Sequence, residues 1–170
     1  MRIIKLGIIS IIVFAFLITG ISLFFPSHVR ISKAVDIETN KDSLRAQLTD
    51  LSNWKNWYPG ADTMLLISDP RYGVGLKGDH DTKWIDIKTI SENSIITAIR
   101  GSSYRSIESG WNLFDGQRPK IITVQWYMDF HLKWYPWEKF SSLLLEKRYG
   151  SMMERGLDKL KKVLEKQVER

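Results

Sequence analysis

Cysteine is absent from the 170 residues, which excludes disulfides, thiolate metal sites and a lipid-modified cysteine. Histidine is nearly absent as well, and His28, His80 and His131 are far apart in the chain. Asp79-His80-Asp81 is the only cluster that looks like a metal or acid/base site. Neighbouring residues of a strand point to opposite faces and no second histidine follows at helical or hairpin spacing, so it reads as a solvated loop. His28 and His131 read as structural or exposed. Ser102, Ser103 and Ser106 form a polar run with no partnered base. The chain has no nucleophile elbow, HExxH, P-loop or dinucleotide fingerprint. No catalytic residue, cofactor or metal site is expected on these grounds.

Blocks of like charge are also missing. A net charge of +6 could suggest nucleic acid, but the densest basic stretch, Lys159 to Lys166, contains Glu165 and follows Asp158. Interspersed signs exclude a nucleic-acid partner and leave a weak attraction to anionic headgroups.

What the chain does have is an apolar run. Leu6 to Phe25 carry no charge, and the run opens an otherwise polar sequence. At about 1.5 Å per residue, a helix of this length crosses the roughly 30 Å of hydrocarbon with its backbone groups paired internally. The rival is a cleaved signal peptide, with Arg2 and Lys5 as its basic start and Gly20 and Ser22 as small residues. Signal apolar regions are usually about 7 to 15 residues, which favours a retained single-pass anchor over residues 1–26. Arg2 and Lys5 face Arg30 and Lys33 across the run, a small bias. The default is a short tail inside and the larger part outside the cell membrane.

The 144 residues after Pro26 (170 less 26) suit one domain, 27–170, expected to be a monomer. Val29, Ile31, Val35 and Ile37 alternate with Arg30, Ser32, Asp36 and Glu38 as in a half-buried strand. Lys33 falls on the apolar face, which predicts a bulge or a later start. Thr39 and Asp42 have capping-box spacing ahead of a helix carrying Leu44, Leu48 and Leu51. Trp54, Trp57 and Pro59 predict a further helical turn ending in a loop. From Met64 to Phe130, turn signals separate about six short strands, an antiparallel meander. Beyond Pro136 no proline occurs. Phe140, Leu144, Met152, Met153, Leu157, Leu160, Val163 and Leu164 form the stripe of one long amphipathic helix over Glu138 to Val168. Gly150 and Gly156 in it predict close approach or a kink. This order predicts an α+β fold with the sheet curled around the last helix.

Three segments sharpen that expectation: Asp50-Leu51-Ser52-Asn53-Trp54-Lys55-Asn56-Trp57, the Gly73-Val74-Gly75 turn, and Met153-Glu154-Arg155-Gly156-Leu157-Asp158-Lys159-Leu160-Lys161-Lys162. Together they resemble the START-like or SRPBCC superfamily, in its polyketide cyclase/dehydrase and lipid-transport group, over Val29 to Glu165. The resemblance implies a helix-grip fold, a bent antiparallel sheet around a long C-terminal helix with an apolar cavity between them. It implies ligand binding more strongly than catalysis. Gly101 to Gly110 lacks a match. His131 to Trp137 is unusually aromatic, as a cavity mouth, a membrane-facing lip or a cap on the core.

In that arrangement Trp111, Leu113, Val124, Trp126, Met128, Met152 and Met153 would line the cavity, although a filled core needs the same residue types. The expected function is a membrane-tethered module that binds a lipid or other apolar small molecule. Its alternatives are a cyclase/dehydrase-type enzyme and a partner-interaction protein with a filled core. Two ionisable groups converging inside, as Arg100, Tyr104 or Glu108 could, would favour the enzyme.

Overall fold

The computed structural model describes residues 2–78, 83–101 and 107–168. Asp79-His80-Asp81, Ser102, Ser103, Tyr104 and Ser106 lie outside them. Helix α1 (Arg2–Ser22) is followed by strand β1 (His28–Glu38), helix α2 (Lys41–Thr49) and two 3-10 turns, Leu51–Asn56 and Ala61–Thr63. Six strands come next: β2 (Leu65–Asp69), β3 (Gly73–Lys77), β4 (Lys83–Ile90), β5 (Ser94–Gly101), β6 (Ile107–Asp115) and β7 (Ile121–His131). Helix α3 (Pro136–Leu145), a π-helical turn (Glu146–Gly150) and helix α4 (Ser151–Val168) end the chain.

All neighbouring strands are antiparallel, in the order β1-β7-β6-β5-β4-β3-β2. The meander supplies every pairing except the first, in which β1 returns beside β7. The chain crosses from that edge to the opposite one through α2 and the 3-10 turns. One face of the sheet carries Ile31, Ile37, Met128, Trp126, Val124, Trp111, Leu113, Ile95, Ile85 and Leu76, all buried. Leu157, Leu160 and Leu164 of α4 complete that core. Helix, meander and grip therefore agree with the α+β helix-grip expectation.

Three local details differ. Strand β1 runs unbroken, with Lys33 opposite Trp126, so the predicted bulge is absent. Lys33 sits on the core-facing side because its stem passes Gly150 and its ammonium reaches Glu146 at 2.8 Å and Glu154 at 2.9 Å. Those two carboxylates hold the ammonium above the usual lysine range. The cap of α2 is Asn40, whose Oδ1 accepts from the Ser43 N–H at 2.7 Å, one residue beyond the predicted Thr39. Thr39 is instead buried, with its N–H donating to the Lys120 carbonyl at 2.9 Å.

The third difference concerns the last helix, which is divided by the π turn at Glu146–Gly150. A π turn adds one residue to the helical path and rotates the helix before it by roughly 100° relative to the helix after it. Leu144, expected on the core stripe, is 65% exposed, whereas Met153, Leu157 and Leu160 are buried; nine residues before Met153, at about 100° per residue, it falls half a turn away from that stripe. Gly156 has the close contact anticipated for it. A Cβ there would lie 2.8 Å from Trp126 Cζ3 and 3.0 Å from Pro59 Cδ.

The convex face is also covered, by flat rings and paired charges. Arg30 donates twice to Asp129, at 2.8 and 2.6 Å, and lies over the Tyr127 ring. Arg100 repeats the pattern, donating twice to Asp86 and lying over Tyr72. The Arg30 bonds hold the Asp129 carboxyl below its ordinary range against the opposing effect of burial. A lowered pKa contributes stability above the unfolded-state value of about 4, which is lost as pH falls through the folded one. Asp129→Asn should therefore cost stability at neutral pH and progressively less below about pH 4. Urea midpoints of both proteins across that range check this; a constant gap would refute it.

Candidate functional site

The interior begins with aromatic side chains. The first 3-10 turn brings Trp54 and Trp57 inward, and their indole N–H groups donate to the carbonyls of Leu48 and Gln47 at 3.1 and 3.3 Å. Strands β6 and β7 bring Trp111 and Trp126 opposite each other, stacked at 5.5 Å. Trp54 meets Trp111 edge-on at 5.1 Å, and Tyr58 stacks on Trp54 at 4.7 Å. Offset and edge-on contacts of this kind add to the stabilisation from burial alone. Burial pushes the Tyr58 hydroxyl well above the usual tyrosine range.

The sequence-derived lining residues all fall in this interior. Trp111, Leu113, Val124, Trp126, Met128 and Met153 are buried, and Met152 is half-buried against them. Their contacts are those of a packed core centred on four tryptophans. Two polar atoms in it have no partner among the described residues: Trp111 Nε1, a donor, and Gln47 Oε1, an acceptor. Such groups cost stability when buried unpaired, and a bound polar atom would relieve them.

Open space lies at the other end of the same face. Leu66 pairs with Leu76, and Leu76 with Ile85, so these three share the core-facing side. Val74 is two residues before Leu76 and Ile87 two after Ile85, which puts both on that side too. The main sheet contacts of α4 are with β1, at the opposite edge. Leu66, Val74 and Ile87 instead border an open cleft of about 410 Å³, closed on its far side by Leu51 and rimmed by Thr49 and Asp50. Leu66 is 47% and Val74 59% exposed. The Asp50 carboxylate accepts from the backbone N–H and hydroxyl of Ser52 at 2.9 and 2.6 Å, which lowers its pKa and keeps it on the rim.

None of these cleft residues is among the lining residues expected from sequence; Asp50, Leu51 and Val74 entered only in the segments that carry the resemblance, and Leu51 also as a helix residue. The available signal was an apolar pair, Leu65-Leu66, in a strand too short and too near the sheet edge to be covered. Arg100 and Glu108 do not converge inside. Arg100 is held by Asp86 on the convex face, and Glu108 is opposite Asp129 on that face, 3.9 Å from Lys88. Among the described residues no group of three His, Asp or Glu side chains could hold a metal ion.

Residues 28–165, the span from β1 through most of α4, match the family model described as polyketide cyclase / dehydrase and lipid transport. The chain belongs to that family. The fold of this polyketide cyclase/dehydrase and lipid transport member is shared by solved structures of low identity. A START superfamily protein from Mycobacterium smegmatis is 16% identical with a TM-score of 0.60, over 81% of this chain and 98% of that one. A protein of unknown function from Staphylococcus aureus, SA2116, is 13% identical with a TM-score of 0.63, over 84% and 97%. The di-domain ARO/CYC StfQ of the steffimycin biosynthetic pathway is 9% identical with a TM-score of 0.63, over 84% of this chain and 52% of its own. At these identities the likeness shows the fold. The comparison with curated protein sequences gives no match.

Proposed function

We propose that this family member is a membrane-tethered binding module that takes an apolar small molecule or acyl chain into the cleft between the 3-10 turn and strands β2 to β4. The observation that carries the reading is the cleft itself: apolar side chains on the concave face of the sheet, left uncovered, around a volume in the range of small-molecule sites. Trp111 Nε1 on the same face of the sheet and Gln47 Oε1 on α2, both buried and without a partner among the described residues, support it as groups suited to a polar end of the ligand. The outward orientation of Arg100 and Glu108 favours binding over cyclase-type proton transfer.

Tethering rests on α1, whose segment Ile3–Ser22 is long and apolar enough to cross a membrane and leaves nearly all of its large apolar side chains exposed. With Arg2 and Lys5 inside, the folded part lies on the outer side of the cell membrane.

Photolabelling the full chain in nanodiscs with a diazirine-bearing acyl chain tests the reading. Adducts are expected on peptides containing Leu66, Val74 or Ile87, and Val74→Trp should abolish them while the thermal midpoint stays within a few degrees, because the site is on the surface. Labelling confined to α1, or unchanged in Val74→Trp, would refute the cleft as the binding site.

A further inference from the structure

The turn after α1 is fastened to α3. Lys139, only 4% exposed, points its ammonium at the end of the apolar segment, donating to the Phe25 carbonyl at 2.9 Å and the Ser27 hydroxyl at 2.6 Å. Phe25 meets Phe140 edge-on at 5.2 Å. A lysine on the carbonyls that follow a helix satisfies acceptors which otherwise have none, and a buried one holds its two elements in one geometry.

The face of α3 that continues from this contact is apolar and largely uncovered. Trp137, Leu143 and Leu144 are 68%, 64% and 65% exposed. At 100° per residue they fall with Phe140 within an arc of roughly 120°. Trp134, just before the helix, and Leu23 and Phe24, just after α1, are exposed as well. Lys133, Lys147 and Arg148, all exposed, flank this segment in sequence. Soluble surfaces rarely gather so many large apolar groups together.

We infer that α3 lies in the interfacial layer of the same bilayer that α1 crosses, holding the folded part flat against the lipid instead of on a free tether. This rests on α1 being a membrane span. Three features select lipid as the occupant. The patch is continuous with the end of the membrane segment through Phe24, Phe25 and Phe140. Tryptophan is its largest component, as in the aromatic belts found at headgroup level. The exposed cations next to it in sequence, Lys133, Lys147 and Arg148, suit anionic headgroups, as in interfacial amphipathic helices. An acyl chain leaving the bilayer would then reach the protein without crossing bulk water.

The absence of native cysteine makes single-site labelling direct. Nitroxide labels at Ile12→Cys, Leu144→Cys and Lys159→Cys, each in the full chain in nanodiscs of phosphatidylcholine and phosphatidylglycerol, report accessibility to oxygen, which enters lipid, and to a nickel chelate, which does not. The label at 144 should resemble that at 12, with a several-fold higher oxygen-to-nickel ratio than at 159. In Trp134→Asp/Trp137→Asp the 144 label should become nickel-accessible while the 12 label stays in lipid. A water-exposed 144 label beside a lipid-exposed 12 label overturns the docking and leaves the anchor standing; water exposure at both overturns the anchor itself. A 144 label shielded from both reagents marks a protein contact and overturns the assignment to lipid.

Discussion

Leu160→Asp should unfold the protein, or nearly so, under conditions in which Lys161→Asp remains folded. Leu160 is fully buried on the α4 face that meets the sheet, among Leu157, Leu164 and Met153. An aspartate there either carries an unpaired charge into an apolar interior or must be neutralised, and it also deletes the packing of the leucine. Together these losses are expected to reach at least about 4 kcal/mol, a large part of the typical stability of a single domain. Lys161 is partly exposed and its nearest acidic partner, Glu165, is 3.7 Å away in an i,i+4 pair. Reversing its charge removes a contact of a few tenths of a kcal/mol and adds a like-charge pair of similar size, so about 1 kcal/mol bounds the loss. Urea denaturation of both variants measures the contrast. Similar midpoints would mean that α4 presents a different face to the sheet.

The same face was legible in the sequence because Met153, Leu157, Leu160 and Leu164 recur at three and four residues, a spacing that only a helix turns into one stripe. The strands were legible for a similar reason. Val124, Trp126 and Met128 alternate with Thr123, Gln125 and Tyr127, so the register of β7 could be read before its partners were known. Leu144 was misplaced because two apolar groups were joined into one stripe: it lies nine residues before Met153, half a turn away at about 100° per residue, and belongs to the helix before the π turn. Lys33 looked like an interruption of β1 because what accommodates it is tertiary. Its partners, Glu146 and Glu154, are more than a hundred residues away and invisible to any local pattern. The cleft was hidden by a different cause. Leu66 and Val74 carry the signature of core residues, and their exposure depends on the reach of α4 across the sheet, which composition does not encode.

Trp126→Ala is expected to be the other severe substitution, and it should reverse the effect of a second change on the facing helix. The indole is fully buried, stacks on Trp111 and donates to the Ser109 hydroxyl at 2.8 Å. Removing it leaves a large void and a serine without its donor, an expected loss of about 3 to 5 kcal/mol. In the wild type, Gly156→Ala gains up to ~1 kcal/mol of helix propensity, but its new methyl would sit 2.8 Å from a ring that the stack and the hydrogen bond hold in place. Overpacking of that kind typically costs about 1 to 3 kcal/mol, so the single change should destabilise. With Trp126 already replaced by alanine the obstruction is gone on the side where it is tightest, and Pro59 at 3.0 Å remains as the only near neighbour at or below that distance. Gly156→Ala should then become neutral or stabilising, giving a coupling energy of at least about 1 kcal/mol between two residues that touch. Denaturant unfolding of the four proteins closes the cycle. If Gly156→Ala has the same effect in both backgrounds, the glycine is serving backbone freedom or the proline contact, and the ring of Trp126 does not set how closely α4 approaches the sheet.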